Sequence, residues 1–152
     1  MQLPLQHQTP RLVAWLGYGG LVPFVAFTVA SLVEPQRSGT WQQLASNYGA
    51  VILSFVGALH WGFAISPLQL GDARRNACLA WSVVPALVAW LALLLDPVAG
   101  SALMAVGFAV HYLQDWRLVK HAPLPGWYLP LRLKLSVVAS VCLLVTSYAS
   151  RV

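Results

Sequence analysis

Apolar residues run along this chain in five long stretches, separated by short clusters of charge, proline and glycine. Runs of about twenty apolar residues match a membrane-spanning helix, and none shows the alternation over about ten residues that a transmembrane strand requires. The pattern predicts an all-α fold, a single bundle of transmembrane helices with spans at about residues 12–33, 44–66, 77–95, 98–118 and 129–149. Glu34-Pro35 closes the first span, Pro67 the second and Asp96-Pro97 the third. The segment Glu34 to Trp41 and the stretch carrying Asp72, Arg74 and Arg75 are expected as polar loops. Inside the first span, Gly17, Gly19 and Gly20 precede Pro23, whose ring frees the carbonyl of Gly19 and predicts a bend. In the third, Pro85 does the same for the carbonyl of Trp81.

The centre of the pattern is Asn47 to Gly62, NYGAVILSFVGALHWG. Ala50, Ser54, Ala58 and Gly62 form a small-xxx-small line that predicts close approach of a neighbouring backbone. His60 lies about 200° round from Ala58. An imidazole among acyl chains is costly, so that second face must also meet protein, and this helix is expected at the middle of the bundle.

Composition strengthens the membrane reading. Hydrophobic residues make up 59% of the 152 and charged residues 9%, against about 25% charged in an average soluble domain. Mean hydropathy is +0.69. The net charge of +5 follows topology and calls for no nucleic acid. Arg11, Arg74, Arg75, Arg117, Lys120, Arg132 and Lys134 fall on one side of a five-span chain, whereas Arg37 and Arg151 fall on the other. The positive-inside rule then puts the N-terminus in the cytoplasm and the C-terminus in the periplasm of a bacterial inner (plasma) membrane, crossed several times. Met1 to Pro10 is polar and does not read as a cleavable signal. Cys78 and Cys142 sit inside apolar segments at different depths and are expected as reduced, buried thiols.

Ionisable groups inside a membrane mark sites by default. Gly107, His111 and Asp115 form an i, i+4 line on the fourth span, which brings His111 to the level of His60. Asp115 is placed to accept a hydrogen bond from His111 or to pair with Arg132 or Arg117. Trp61, Trp81, Trp116, Trp127 and Tyr128 are expected around them. Three arrangements fit. The histidines satisfy freed carbonyls while Asp115 neutralises an arginine. Or aromatic walls hold an apolar ligand whose polar end meets Arg132 and the histidines. Or His60 and His111 ligate haem or a metal, with Asp115 orienting one imidazole. There is no HExxH, CxxCH, cysteine pair or serine elbow, so no enzyme class is specified. His7 and His121 receive no role.

The residues Tyr48-Gly49-Ala50, Ser54-Phe55 and Gly57-Ala58-Leu59-His60-Trp61-Gly62, then Pro85, Trp90, Pro125-Gly126-Trp127-Tyr128 and Leu131-Arg132, resemble the bacterial relatives of mitochondrial transmembrane protein 69. That family is filed as a domain of unknown function. The resemblance implies a small multispanning membrane protein and brings no activity with it. The expectation is therefore a non-enzymatic accessory or binding protein. A pocket of His60, Trp61, Trp81, His111, Asp115, Trp127, Tyr128 and Arg132 in its cytoplasmic half would hold a lipid, quinone or tetrapyrrole, or dock a membrane partner, either another inner-membrane protein or a second copy. The alternative is a haem- or metal-dependent membrane enzyme using His60 and His111.

Overall fold

A computed structural model describes residues 9–66 and 70–151, and every regular element among them is helical. The order is α1 (Arg11–Gly19), α2 (Val22–Val33), a 3-10 turn (Pro35–Arg37), α3 (Ser38–Ile65), α4 (Asp72–Leu94), α5 (Pro97–Val119) and α6 (Tyr128–Ala149). Helices α1 and α2 form one broken rod, so five rods run alternately up and down. Four of them, Arg11–Val33, Pro35–Ile65, Asp72–Leu94 and Tyr128–Ala149, are long and apolar enough to cross a membrane. Helix α5 is as long as α4, but His111, Gln114, Asp115 and Arg117 dilute its apolar face. Large apolar side chains such as Trp15, Leu16, Phe55 and Ile65 point outward, as expected of an all-α membrane protein whose solvent is acyl chain.

Helix α3 is the hub. It packs on α2, α4, α5 and α6, and these four complete an arc around it through the α2–α6, α6–α5 and α5–α4 contacts. Of its most apolar stretch 39% is buried, against 11% for Arg11–Val33. Phe24, Leu53, Met104, Phe108 and Leu143 fill the space between the rods. With no hydrophobic drive between helices in lipid, close backbone approach and packing must hold them together. A methyl added at Gly57 would lie 2.9 Å from Pro85, and one at Gly100 would collide with the Ala92 carbonyl. The α3–α4 and α4–α5 crossings depend on those two glycines.

Several boundaries and faces differ from the sequence reading. The predicted small-residue seam is not the packed face: Ala50 is buried, Ser54 half-buried, and Ala58 and Gly62 are exposed. A four-residue step advances about 40° beyond a full turn, so the line winds off the contact face within three steps. Close approach falls instead on Gly57, between buried Leu53, Val56, His60 and Ala64. Helix α3 starts at Ser38, not Leu44, and the segment expected as a loop is mostly helix. The polar residues Ser38, Gln42 and Ser46 of α3 turn inward, and Gln42 accepts a hydrogen bond from Ser150. Asp72, Arg74 and Arg75, also expected in a loop, form the first turn of α4, where a carboxylate suits the helix dipole. Pro67, the expected stop of the second span, and His7 lie outside the described residues. The bend in the first rod is a break at Gly20-Leu21. The carbonyl with a side-chain partner is that of Gly20, which accepts from the Tyr48 hydroxyl at 2.9 Å. Cys78 and Cys142 are buried and free.

Candidate functional site

Helices α3, α5 and α6 meet where α3 ends and α6 begins, and there the bundle buries charge. Asp115 and His111 are fully buried, His60 is 2% exposed and Arg132 5%. The i, i+4 spacing of His111 and Asp115 stacks both on the inner face of α5. Tyr128 and Arg132 occupy the same spacing on α6. Asp115 accepts from the Tyr128 hydroxyl through Oδ1 and from Arg132 Nε through Oδ2, each at 2.9 Å. These two bonds explain how a carboxylate survives with no exposure, since a buried charge requires an opposite charge and satisfied lone pairs.

The two histidines meet beside this carboxylate. Their ring centroids are 4.9 Å apart, edge to face. His60 Nε2 lies 3.8 Å and His111 Nε2 3.9 Å from Asp115 Oδ1, beyond hydrogen-bond reach. Trp81 on α4 donates its indole N–H to His111 Nδ1 at 3.0 Å. An indole only donates, so Nδ1 holds the lone pair and the neutral His111 ring carries its proton on Nε2. Both nitrogens of His60, Nε2 of His111 and Nη2 of Arg132 have no partner among the described residues. Each unmet buried polar group costs about 1–3 kcal/mol.

A metal was one expectation for this spot, and ligand atoms of His60, His111 and Asp115 lie within 4.8 Å of one another. The donor set fits a metal poorly. Ligands about 2.0–2.1 Å from a tetrahedral ion stand about 3.3 Å apart, closer than either histidine stands to Asp115 Oδ1. Moreover, the nitrogen that His111 turns to Asp115 carries the proton, so it has no lone pair to give. Haem fits no better, because its plane would have to pass between two rings already in contact.

Beside this cluster a cleft of about 600 Å³ runs between α1, α2, α3 and α6. Its walls are Leu16, Phe24, Phe55, Leu59 and other apolar side chains, and Trp127, Tyr128, Arg132 and Ser136 also line it. Leu16 and Phe55 are well exposed, so the cleft opens sideways toward the surrounding lipid. Arg132 and Ser136 follow one another by one turn of α6, and Ser136 Oγ, like Arg132 Nη2, is buried with no partner.

Of the residues expected around the site, His60, His111, Asp115, Tyr128 and Arg132 form the cluster. Trp81 supports His111, and Trp127 lines the cleft. Trp61 and Trp116 do not belong to it. They are 52% and 46% exposed, because each follows an inward residue by one position and so points about 100° away. Trp116 instead lies under the Lys120 ammonium, 3.3 Å from its ring centroid. Arg117, the other arginine considered for Asp115, is exposed. Phe63, which packs edge-on to both His60 and Tyr128, and Ser136 were not marked by sequence. Ser136 is legible in retrospect as the next turn of the stripe begun by Tyr128 and Arg132.

The model of one protein family, described as Protein of unknown function (DUF3429), matches residues 9–148. A relative from Xenopus tropicalis called Transmembrane protein 69 is 40% identical, over 86% of this chain and 51% of its own length. Another of that name from Mus musculus is 27% identical, over 91% of this chain and 56% of its own. The chain thus spans about half the length of the curated relatives it matches. No solved structure matches it.

Proposed function

The chain belongs to the DUF3429 family, and we propose that it is a multi-pass protein of the bacterial inner membrane that binds a neutral, carbonyl-bearing lipid or isoprenoid quinone in the lateral cleft. The observation that carries this reading is the pairing of an apolar cleft of about 600 Å³ with two buried polar groups that have no partner among the described residues, Nη2 and Oγ of its lining residues Arg132 and Ser136. Ligand pockets in proteins run to about 300–1,000 Å³ with few polar groups among apolar walls. A guanidinium only donates hydrogen bonds, so the head of the ligand must accept them. Arg132 is already neutralised by Asp115, so a carboxylate head would leave a buried negative charge without compensation. A neutral carbonyl avoids that cost. A tetrapyrrole gains nothing from the histidines here, since neither lines the cleft.

The alternating rods gather the starts of α1, α4 and α6 and the end of α5 at one end. Arg11, Arg74, Arg75, Arg117, Lys120 and Lys134 share that end, which supports a cytoplasmic N-terminus and a cluster in the cytoplasmic half.

The test is purification in mild detergent from quinone-containing membranes, with bound lipid identified by native mass spectrometry. About one ligand per chain is expected, and an added short-chain quinone should quench tryptophan emission less in Trp127→Phe. Leu59→Trp, which fills the cleft from a half-buried position, should expel the ligand. Protein that is folded yet carries no apolar ligand, and whose emission the quinone leaves unchanged, refutes the reading.

A further inference from the structure

A second cleft, sharing no lining residue with the first, opens between α3, α4 and α5 at the basic end. It measures about 140 Å³, and His60, Arg74, Trp81, Gln114, Arg117 and His121 line it. Two facing stripes build it. Arg74 and Trp81 stand at i and i+7 on α4, and Gln114 and His121 have the same spacing on α5 and the turn that follows it, so both stripes face one groove. We infer that this cleft is a binding site for a phosphate group.

The charge balance points to an anion. Neither nearby carboxylate serves the cleft: Asp72 lies 3.5 Å from Arg75, and Asp115 spends both oxygens on Tyr128 and Arg132. No acidic residue lines the cleft among the described residues. Its donors are two guanidinium forks, which match phosphate geometry, with a side-chain amide and two imidazoles. His60, 2% exposed, lines the same cleft with both ring nitrogens unpartnered. An anion would supply what that buried ring lacks. The space is enough for a tetrahedral oxyanion. The phosphate arrives either as the headgroup of an anionic lipid, for which basic pockets between helices on the cytoplasmic side are suited, or free in solution.

The experiment uses the full chain and separates the two sources. In detergent micelles, inorganic phosphate is titrated by calorimetry. In phosphatidylcholine vesicles with or without phosphatidylglycerol, the lipid retained on release is identified by native mass spectrometry. Binding of phosphate in micelles identifies a soluble oxyanion, and retention of phosphatidylglycerol with no phosphate binding identifies a headgroup. Arg74→Gln with Arg117→Gln alters two exposed side chains and should weaken binding about 30-fold. Arg75→Gln, in the same turn but outside the cleft, should stay within about twofold of the parent. The site is refuted if neither probe binds the parent protein, if the double variant binds as tightly, or if Arg75→Gln loses as much.

Discussion

Near its start, α3 turns Ser38, Gln42 and Ser46 into the bundle, and about 27 Å further along the same helix it turns in His60. Both ends bury polar groups, but with different chemistry. At the first end the groups are neutral and some share bonds between rods: Thr28 and Thr146 hydroxyls meet at 2.9 Å, Thr28 reaches the Cys142 carbonyl at 3.3 Å, and Ser150 donates to Gln42, while Gln42 Nε2 and Ser147 Oγ have no partner among the described residues. Neither cleft described above touches this end. At the second end the groups are charged or ionisable, they surround one carboxylate, and clefts adjoin them on two sides. The proposed function rests on this difference. Hydroxyls and amides join helices at small cost, whereas a carboxylate, an arginine and two histidines cost more to bury than they return in stability. Burial of polarity alone therefore does not mark a site in this bundle. Charge beside a cavity is the feature on which the proposed sites are based.

The comparison breaks most sharply at Asp115. Asp115→Ala strands Arg132 in the interior and should destabilise the protein by about 3–5 kcal/mol, read as denaturant or thermal unfolding in mixed micelles. Replacing both partners, Asp115→Leu with Arg132→Met, should restore most of that loss while abolishing ligand retention. If the double variant is no more stable than Asp115→Ala, the ion pair supports the fold and is not kept for binding. A smaller effect is expected at Trp81. Trp81→Phe removes the donor to His111 Nδ1, costs about 1 kcal/mol, and allows the proton to move to Nδ1. The change in tautomer is read from imidazole ¹⁵N shifts, and an unchanged tautomer would show that Asp115, not Trp81, sets it. The smallest effect belongs to the neutral end. Thr146→Val should cost about 0.6 kcal/mol, the usual scale for hydrogen bonds between membrane helices, and leave ligand retention intact. A loss of ligand there would erase the contrast between the ends.

The sequence located the level of the site better than its walls. His60, His111 and Asp115 stand out because ionisable groups are rare in apolar runs, and helical rise alone brings the two imidazoles to one depth. The walls were harder to read. His60 and Trp61 are neighbours in sequence, but only the azimuth of α3 decides which one faces protein, and contacts with α4 and α5 set that azimuth. The same holds for Asp115 and Trp116. Polar Ser38 read as loop, and Gln42 fell outside the second span, because polarity ordinarily signals water. The partner of Gln42, Ser150, lies more than a hundred residues away.

By itself the sequence determined the all-helical class, the number of rods and the rank of α3 as the central helix. Length, hydropathy and the cost of an unpaired imidazole in lipid are local quantities. Only the tertiary structure decided that Asp115 takes Arg132 and Tyr128, that Trp81 fixes the proton on His111, and that two clefts flank the cluster. Those outcomes depend on how far each rod is rotated about its axis, which is settled where Gly57 meets Pro85 and Gly100 meets Ala92.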